Sequence, residues 1–182
     1  MPKIARVIIT MECQRHCDNC CNTYDSIMSK AVRISRIGEL DGYDVVCITG
    51  GEPMLNRDRT LRIIEAERNI NPDAKIYLYT ALYRPSIRYV INSVDGIHYT
   101  IHHEATDRDI ADFHVFQAEV MRALRYDHTK SFRLYIDSRV DSVIQIIPNI
   151  WSRVEIKPWL MESECPLPEG ETLFILDESA YV

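Results

Sequence analysis

Three cysteines fall within eight residues near the start of the chain, Cys13-Gln14-Arg15-His16-Cys17-Asp18-Asn19-Cys20, in the order C-x3-C-x2-C. A loop this short can wrap one corner of a compact inorganic cluster, each thiolate reaching a different metal. Thiolates are the usual ligands of iron–sulfur clusters, and a cubane [4Fe–4S] has four irons, so three cysteines leave one iron without a protein ligand. Two other chemistries compete for these thiols. Structural zinc takes four tetrahedral ligands, commonly as two separated pairs. Here Cys20 and Cys21 are adjacent, no second Cys/His pair with finger spacing follows, and recruiting His16 would cramp the loop. A disulfide framework goes with secretion, and Met1-Pro2-Lys3-Ile4-Ala5-Arg6 does not read as a signal peptide. Cys21 in place of Cys20 is an alternative third ligand. Cys47, in an apolar strand, and Cys165, in an acidic tail, read as unliganded thiols.

A second stretch, Thr49-Gly50-Gly51-Glu52-Pro53, follows the cysteines. Together the two motifs resemble the radical SAM enzymes, in which C-x3-C-x2-C holds a [4Fe–4S] cluster and a Gly-Gly-Glu-Pro loop binds the amino group of S-adenosylmethionine (SAM). The resemblance implies that Cys13, Cys17 and Cys20 hold the cluster and that Gly50, Gly51 and Glu52 orient SAM. Thr49, Pro53 and Asn19 then lie beside the cofactor, with Asn19 where that family often has an aromatic residue. It further implies reductive cleavage of SAM to a 5′-deoxyadenosyl radical that takes a hydrogen atom from the substrate. The electron would come from an external one-electron donor of flavodoxin or ferredoxin type.

These loops need a scaffold, and the chain supplies strands and helices in alternation. Strands are expected at residues 4–10, 44–49, 75–80, 96–102, 132–137 and 153–157. Helices are expected at about 33–40, from a cap at Asn56 or Asp58 to Asn69, at about 85–93, at 107–126 and over Val140, Val143, Ile144 and Ile147. Such alternation argues a parallel α/β sheet covered by helices. The resemblance makes it an open (β/α)6 partial TIM barrel over residues 1–160, followed by a short acidic C-terminal extension, 161–182. Within that extension Leu173-Phe174-Ile175-Leu176 reads as an extra strand or cover.

Alternation along the strands points polar residues inward. Ile97, Tyr99 and Ile101 face the helices and leave His98, Thr100 and His102 inside; Arg133, Tyr135 and Asp137 oppose Phe132, Leu134 and Ile136; Glu155 and Lys157 oppose Val154 and Ile156. A barrel core is normally aliphatic, so so polar an interior argues a binding site. Active sites of such barrels gather at the carboxyl ends of the strands. With the radical SAM resemblance, this implies that Tyr79, Thr80, His102 and Asp137 contact SAM, and Tyr135 and Lys157 the substrate. No residue is singled out as an acid, base or nucleophile.

The net charge of −6 is unevenly spread. From Met161 onward there are six acidic residues and no Lys or Arg, so residues 1–160 are balanced at 21 of each sign. That excludes a global nucleic-acid field. Sixteen Arg against five Lys nevertheless suit bidentate contacts to phosphate or carboxylate. No apolar run reaches membrane-span length, and the expected location is the cytoplasm, where thiols stay reduced. The expected substrate is a nucleobase or nucleotide, with nucleic acid or protein as other macromolecular partners. The alternatives are an activating protein for a glycyl-radical enzyme, maturation of a ribosomal peptide, or a non-enzymatic zinc- or cluster-binding module.

Overall fold

The computed structural model describes residues 2–159, 161–162 and 167–180. Eight parallel strands form one open sheet in these residues. They are β1 (Ile4–Ile8), β2 (Val32–Ile34), β3 (Val45–Thr49), β4 (Lys75–Thr80), β5 (Gly96–Ile101), β6 (Ser131–Asp137), β7 (Arg153–Lys157) and β8 (Glu171–Leu176). Their order across the sheet is β2-β8-β1-β3-β4-β5-β6-β7. Helices α1 (Asp25–Met28), α2 (Arg57–Ile70), α3 (Ile87–Ser93) and α4 (Asp107–Tyr126) complete the described regular elements, apart from three short 3-10 turns.

One face of the sheet is apolar and covered. Val7, Ile48, Leu78, Tyr99, Leu134 and Phe174 point to it and pack with Ile63 and Ile64 of α2, Val90 of α3 and Phe113, Phe116 and Val120 of α4. Tyr99 stacks on Phe116 at 4.5 Å between ring centroids. Asn56 caps α2 by accepting from the Arg59 amide, and Thr106 with Asp109 forms a reciprocal cap on α4. The strand phase read from alternation holds on β5 and β6. On the edge strand β7 the outward residues are uncovered, Ile156 being 61% exposed.

The open α/β architecture is the one expected, but with eight strands where six were counted. The added pair is β2 and β8. Residues 33–40, expected to be helical, instead give β2 and a 3-10 turn at Ile37–Leu40, which Glu39 closes by accepting from the Ser35 and Arg36 amides. β2 pairs with β8, and β8 also pairs with β1, so the Leu173–Leu176 run joins the sheet interior. The helix expected over 140–147 is also absent. That segment runs alongside α4, where Gln117 donates to the Gln145 carbonyl and accepts from the Ile147 amide. Val140, Ile144 and Ile147 pack on the core without helical geometry, while Val143 is exposed. Cys165 and Glu164 lie outside the described residues. No helix among those described is long and apolar enough to cross a membrane.

One buried acid in this frame has no counterion role. Glu67 of α2 is fully buried, and neither carboxylate oxygen has a hydrogen-bond partner among the described residues. Burial pushes its carboxyl up to about 7, with Asp41 adding to the shift and Arg68 opposing it. A folded-state value above the unfolded one means the stabilising contribution is full below about pH 4.3 and is lost as pH rises through 7. Glu67→Gln should therefore flatten the fall in stability between those limits, by on the order of 1–3 kcal/mol. Urea midpoints across this range measure it; parallel profiles for the two proteins would show that Glu67 does not ionise there.

Candidate iron–sulfur site

The chain leaves β1 and β3 side by side, and the two following loops stay zipped together. The Ile9 amide donates to the Thr49 carbonyl, Gly51 to Thr10 at 2.7 Å, and Glu52 to Glu12 at 2.7 Å. Only glycine fits this approach. A Cβ on Gly50 would lie 2.3 Å from the Thr10 oxygen, and one on Gly51 2.1 Å from the Glu12 oxygen; Gly50 also has φ +137°. At the far end of the cysteine loop the Asn22 amide side chain donates to the Gly50 carbonyl at 2.7 Å. The Gly-Gly pair therefore clamps the cysteine loop from both sides.

Arg15 fixes the loop's middle. Its guanidinium pairs with Asp109 in the first turn of α4 at 2.6 Å and donates to the Ala81 carbonyl at 3.3 Å, leaving the side chain 8% exposed. The charges of the three thiols interact with one another. Burial pushes Cys13 up, with Glu52 and Cys20 adding to it. Cys17 is pushed up to about 12 by burial first, then by Glu104, Cys13 and Cys20. Three thiolates there repel one another unless a cation binds them, and a coordinated metal reverses that balance. Cys21 instead packs on the smaller apolar cluster of Ile8, Tyr24, Ile27 and Leu173. No disulfide joins the described cysteines.

Residues 4–95, half of the chain, match the family model of the 4Fe-4S single cluster domain. The chain belongs to that family. Among curated proteins none matches. Among solved structures the fold is similar to BtrN, crystallised in complex with AdoMet and 2-DOIA, at 13% identity and a TM-score of 0.45. The likeness covers 87% of this chain and 57% of that one, so the chain spans just over half of BtrN's length.

Around the thiols of this 4Fe-4S single cluster domain, the fold gathers a group of rings. His102, just past β5, lies with Cys17 and Glu104 such that their ligand atoms are within 4.8 Å of one another. Glu104 also accepts from the Asp18 amide at 2.7 Å. Burial, and then the Arg15 charge, hold the His102 imidazole down at about 4, so it is neutral. Trp159, one residue beyond Pro158, lies 4.7 Å from His102 and edge-on to Tyr135 at 5.2 Å. Its indole N–H donates to the carbonyl of Asn19, which has a left-handed φ of +61°. Trp159 and Arg15 were not legible as site residues. One follows β7 with no motif around it, and the other occupies one of the unspecified positions of the C-x3-C spacing.

The remaining expected contacts divide. Glu52 is 1% exposed and turned into the protein. Its carboxylate accepts from the Met54 amide at 2.9 Å, the Thr80 hydroxyl at 2.6 Å and the Ala81 amide at 2.8 Å. Burial raises this carboxyl, while the three hydrogen bonds and Arg15 pull it down. Thr80 thus sits on the helix-side phase of β4 and is engaged with Glu52, where a SAM contact was expected. Pro53 is buried at the start of a 3-10 turn. Asp137 is 1% exposed and held by Arg139, at 2.7 Å and 3.0 Å to the guanidinium and 3.0 Å to the amide. Lys157 pairs with Glu155 at 2.8 Å and lies over the Tyr135 ring. The Tyr135 hydroxyl is within hydrogen-bond distance of the Lys157 and Pro158 carbonyls. Tyr79 belongs to a different cavity lower on the same face. Asn19, His102, Tyr135 and Thr49 lie at the strand-end side of the sheet with the cysteines; Tyr79, Thr80 and Asp137 have other partners.

Proposed function

We propose that this chain is a radical SAM enzyme in which Cys13, Cys17 and Cys20 hold a [4Fe–4S] cluster. The observation that carries the reading is the zipped pair of loops, which makes the Gly50–Gly51 stretch and the cysteine loop one unit. Cluster and SAM together would supply a 5′-deoxyadenosyl radical able to abstract a hydrogen atom from an unactivated carbon. The protein's part is orientation and exclusion of water. Glu52 fixes the loop from behind, so the face of the motif turned to the cofactor is backbone. Arg15 holds the loop against α4. Neutral His102 can hydrogen-bond a ribose hydroxyl, and the Trp159 and Tyr135 rings can cover an adenine. Tyr135 and Lys157 border the space left for a substrate, for which we favour a nucleobase or nucleotide. The reducing electron would come from a flavodoxin- or ferredoxin-like donor.

Anaerobically reconstituted protein, reduced with dithionite, should convert SAM to 5′-deoxyadenosine and methionine. Methylthioadenosine or S-adenosylhomocysteine as the sole product would overturn the reading. Trp159→Ala and His102→Ala should keep the cluster's iron and sulfide while weakening SAM binding about fivefold or more, the loss of one stacked ring or one hydrogen bond. Unchanged SAM affinity in both would remove these residues from the cofactor site.

A further inference from the structure

Below the cysteine site, on the face of the sheet opposite α2, α3 and α4, a cavity of about 200 Å³ opens near the amino ends of the strands. Its walls include Cys47, Tyr77, Tyr79, His98, Arg133 and Glu171. His98 and His102 are four residues apart, on the order of 13 Å along a strand, so this is a separate place from the thiols. Beside it, Gly96 lets two wall residues come close: a Cβ there would lie 1.9 Å from the Ser131 carbonyl and 3.1 Å from the Tyr77 ring.

Register places a row of side chains across this face, Tyr79 beside His98, His98 beside Arg133, and Arg133 beside Arg153. Most charges around it are already matched. Arg6 lies over the Tyr79 ring at 4.8 Å and gives its guanidinium to Glu171 at 2.8 Å. Glu155 takes both Arg153 at 2.7 Å and Lys157 at 2.8 Å. Arg133 is exposed to the cavity and has no ion pair or hydrogen bond among the described residues. Next to it the His98 ring stacks against Tyr79 at 4.7 Å, and its Nδ1 is buried without a partner among the described residues. Burial, with Arg133 and Arg6, keeps this imidazole neutral, down at about 4. Two arginines in directly opposed positions repel, and a buried ring nitrogen with no partner carries an unrepaid desolvation penalty.

We infer that this cavity binds the oxyanion group of a small molecule, a carboxylate or a phosphate monoester, with Arg133 meeting the charge and His98 Nδ1–H donating a hydrogen bond. The oxyanion supplies both missing partners at once, and an arginine fork suits either group. A cavity of this size admits a small ligand or one end of a larger one. If that ligand is the substrate, the inference rests on the proposed function; the binding itself does not.

The test is a titration of the full chain, labelled at histidine Cε1, with inorganic phosphate and separately with acetate, followed by NMR. The His98 resonance, assigned with His98→Gln, should shift saturably with at least one of them. Phosphate alone, or acetate alone, assigns the class of oxyanion. Arg133→Gln should weaken that binding about tenfold or more, as expected for a charge-assisted contact. Arg125→Gln, which removes the same charge from α4 on the other side of the sheet, should not. No saturable shift with either anion, or equal weakening by Arg125→Gln, overturns the inference. Failure of SAM cleavage would leave the result standing, since neither anion needs the cluster to bind.

Discussion

Cys17→Ala is expected to yield protein that takes up almost no iron or sulfide on anaerobic reconstitution, with Cys13→Ala and Cys20→Ala behaving alike and Cys21→Ala close to the parent. The charges of these three thiols interact with one another, and each would bind a different iron. Losing one would leave too few thiolates to hold the cluster at three of its irons. Cys17 should be the most sensitive, because it is pushed furthest toward the thiol and sits nearest Glu104 and His102. Cys21 differs by its surroundings: it packs on Ile8, Tyr24 and Leu173. Iron and sulfide counts with visible absorption decide the matter. A full cluster in Cys20→Ala together with loss in Cys21→Ala would exchange the third ligand. Stoichiometric zinc without sulfide in the parent protein, lost on Cys17→Ala or His102→Ala, would point instead to the Cys17–His102–Glu104 group as a mononuclear site.

The sequence carried the parts of this fold that local chemistry determines. The span of α4 was legible because its apolar stripe repeats every turn; the structure adds the cap by Thr106 and Asp109. The inward row on β5 and β6 was legible because alternation has no competing reading there. The segment 140–147 misled because its apolar spacing suits a helix, whereas the deciding partner is Gln117, some thirty residues away in sequence and on another element. β2 was missed for a related reason. A three-residue strand has little pattern of its own, and its partner β8 lies near the other end of the chain. At the site, residue type and spacing singled out the three cysteines but not what holds their loop. At Asp137, alternation gave the inward position but not the pairing of its carboxylate with Arg139, two residues on. The Trp159 indole reaches Asn19 only through the path of the chain after β7.

Glu52→Ala should cost about 3 kcal/mol or more of stability and reduce cluster retention, although Glu52 lies in a motif whose usual reading is cofactor contact. The carboxylate is buried, and three donors converge on it from the 3-10 turn after the motif and from the end of β4. Truncation leaves the Met54 and Ala81 amides without their acceptor inside the protein and opens a cavity, two of the recognised routes to large losses. It also frees the end of β4, whose next carbonyl, that of Ala81, receives Arg15 from the cysteine loop. The disturbance therefore reaches the cysteine loop through Arg15 and through the Glu52 amide bonded to Glu12. Glu52→Gln should fall between the two proteins, since one amide oxygen can still accept while the new NH2 faces donors. Urea midpoints combined with iron content after desalting test both variants. A Glu52→Ala protein that kept parental stability and a full cluster but lost SAM binding would show that the carboxylate serves the cofactor directly, and that its inward position here is not the one that matters for function.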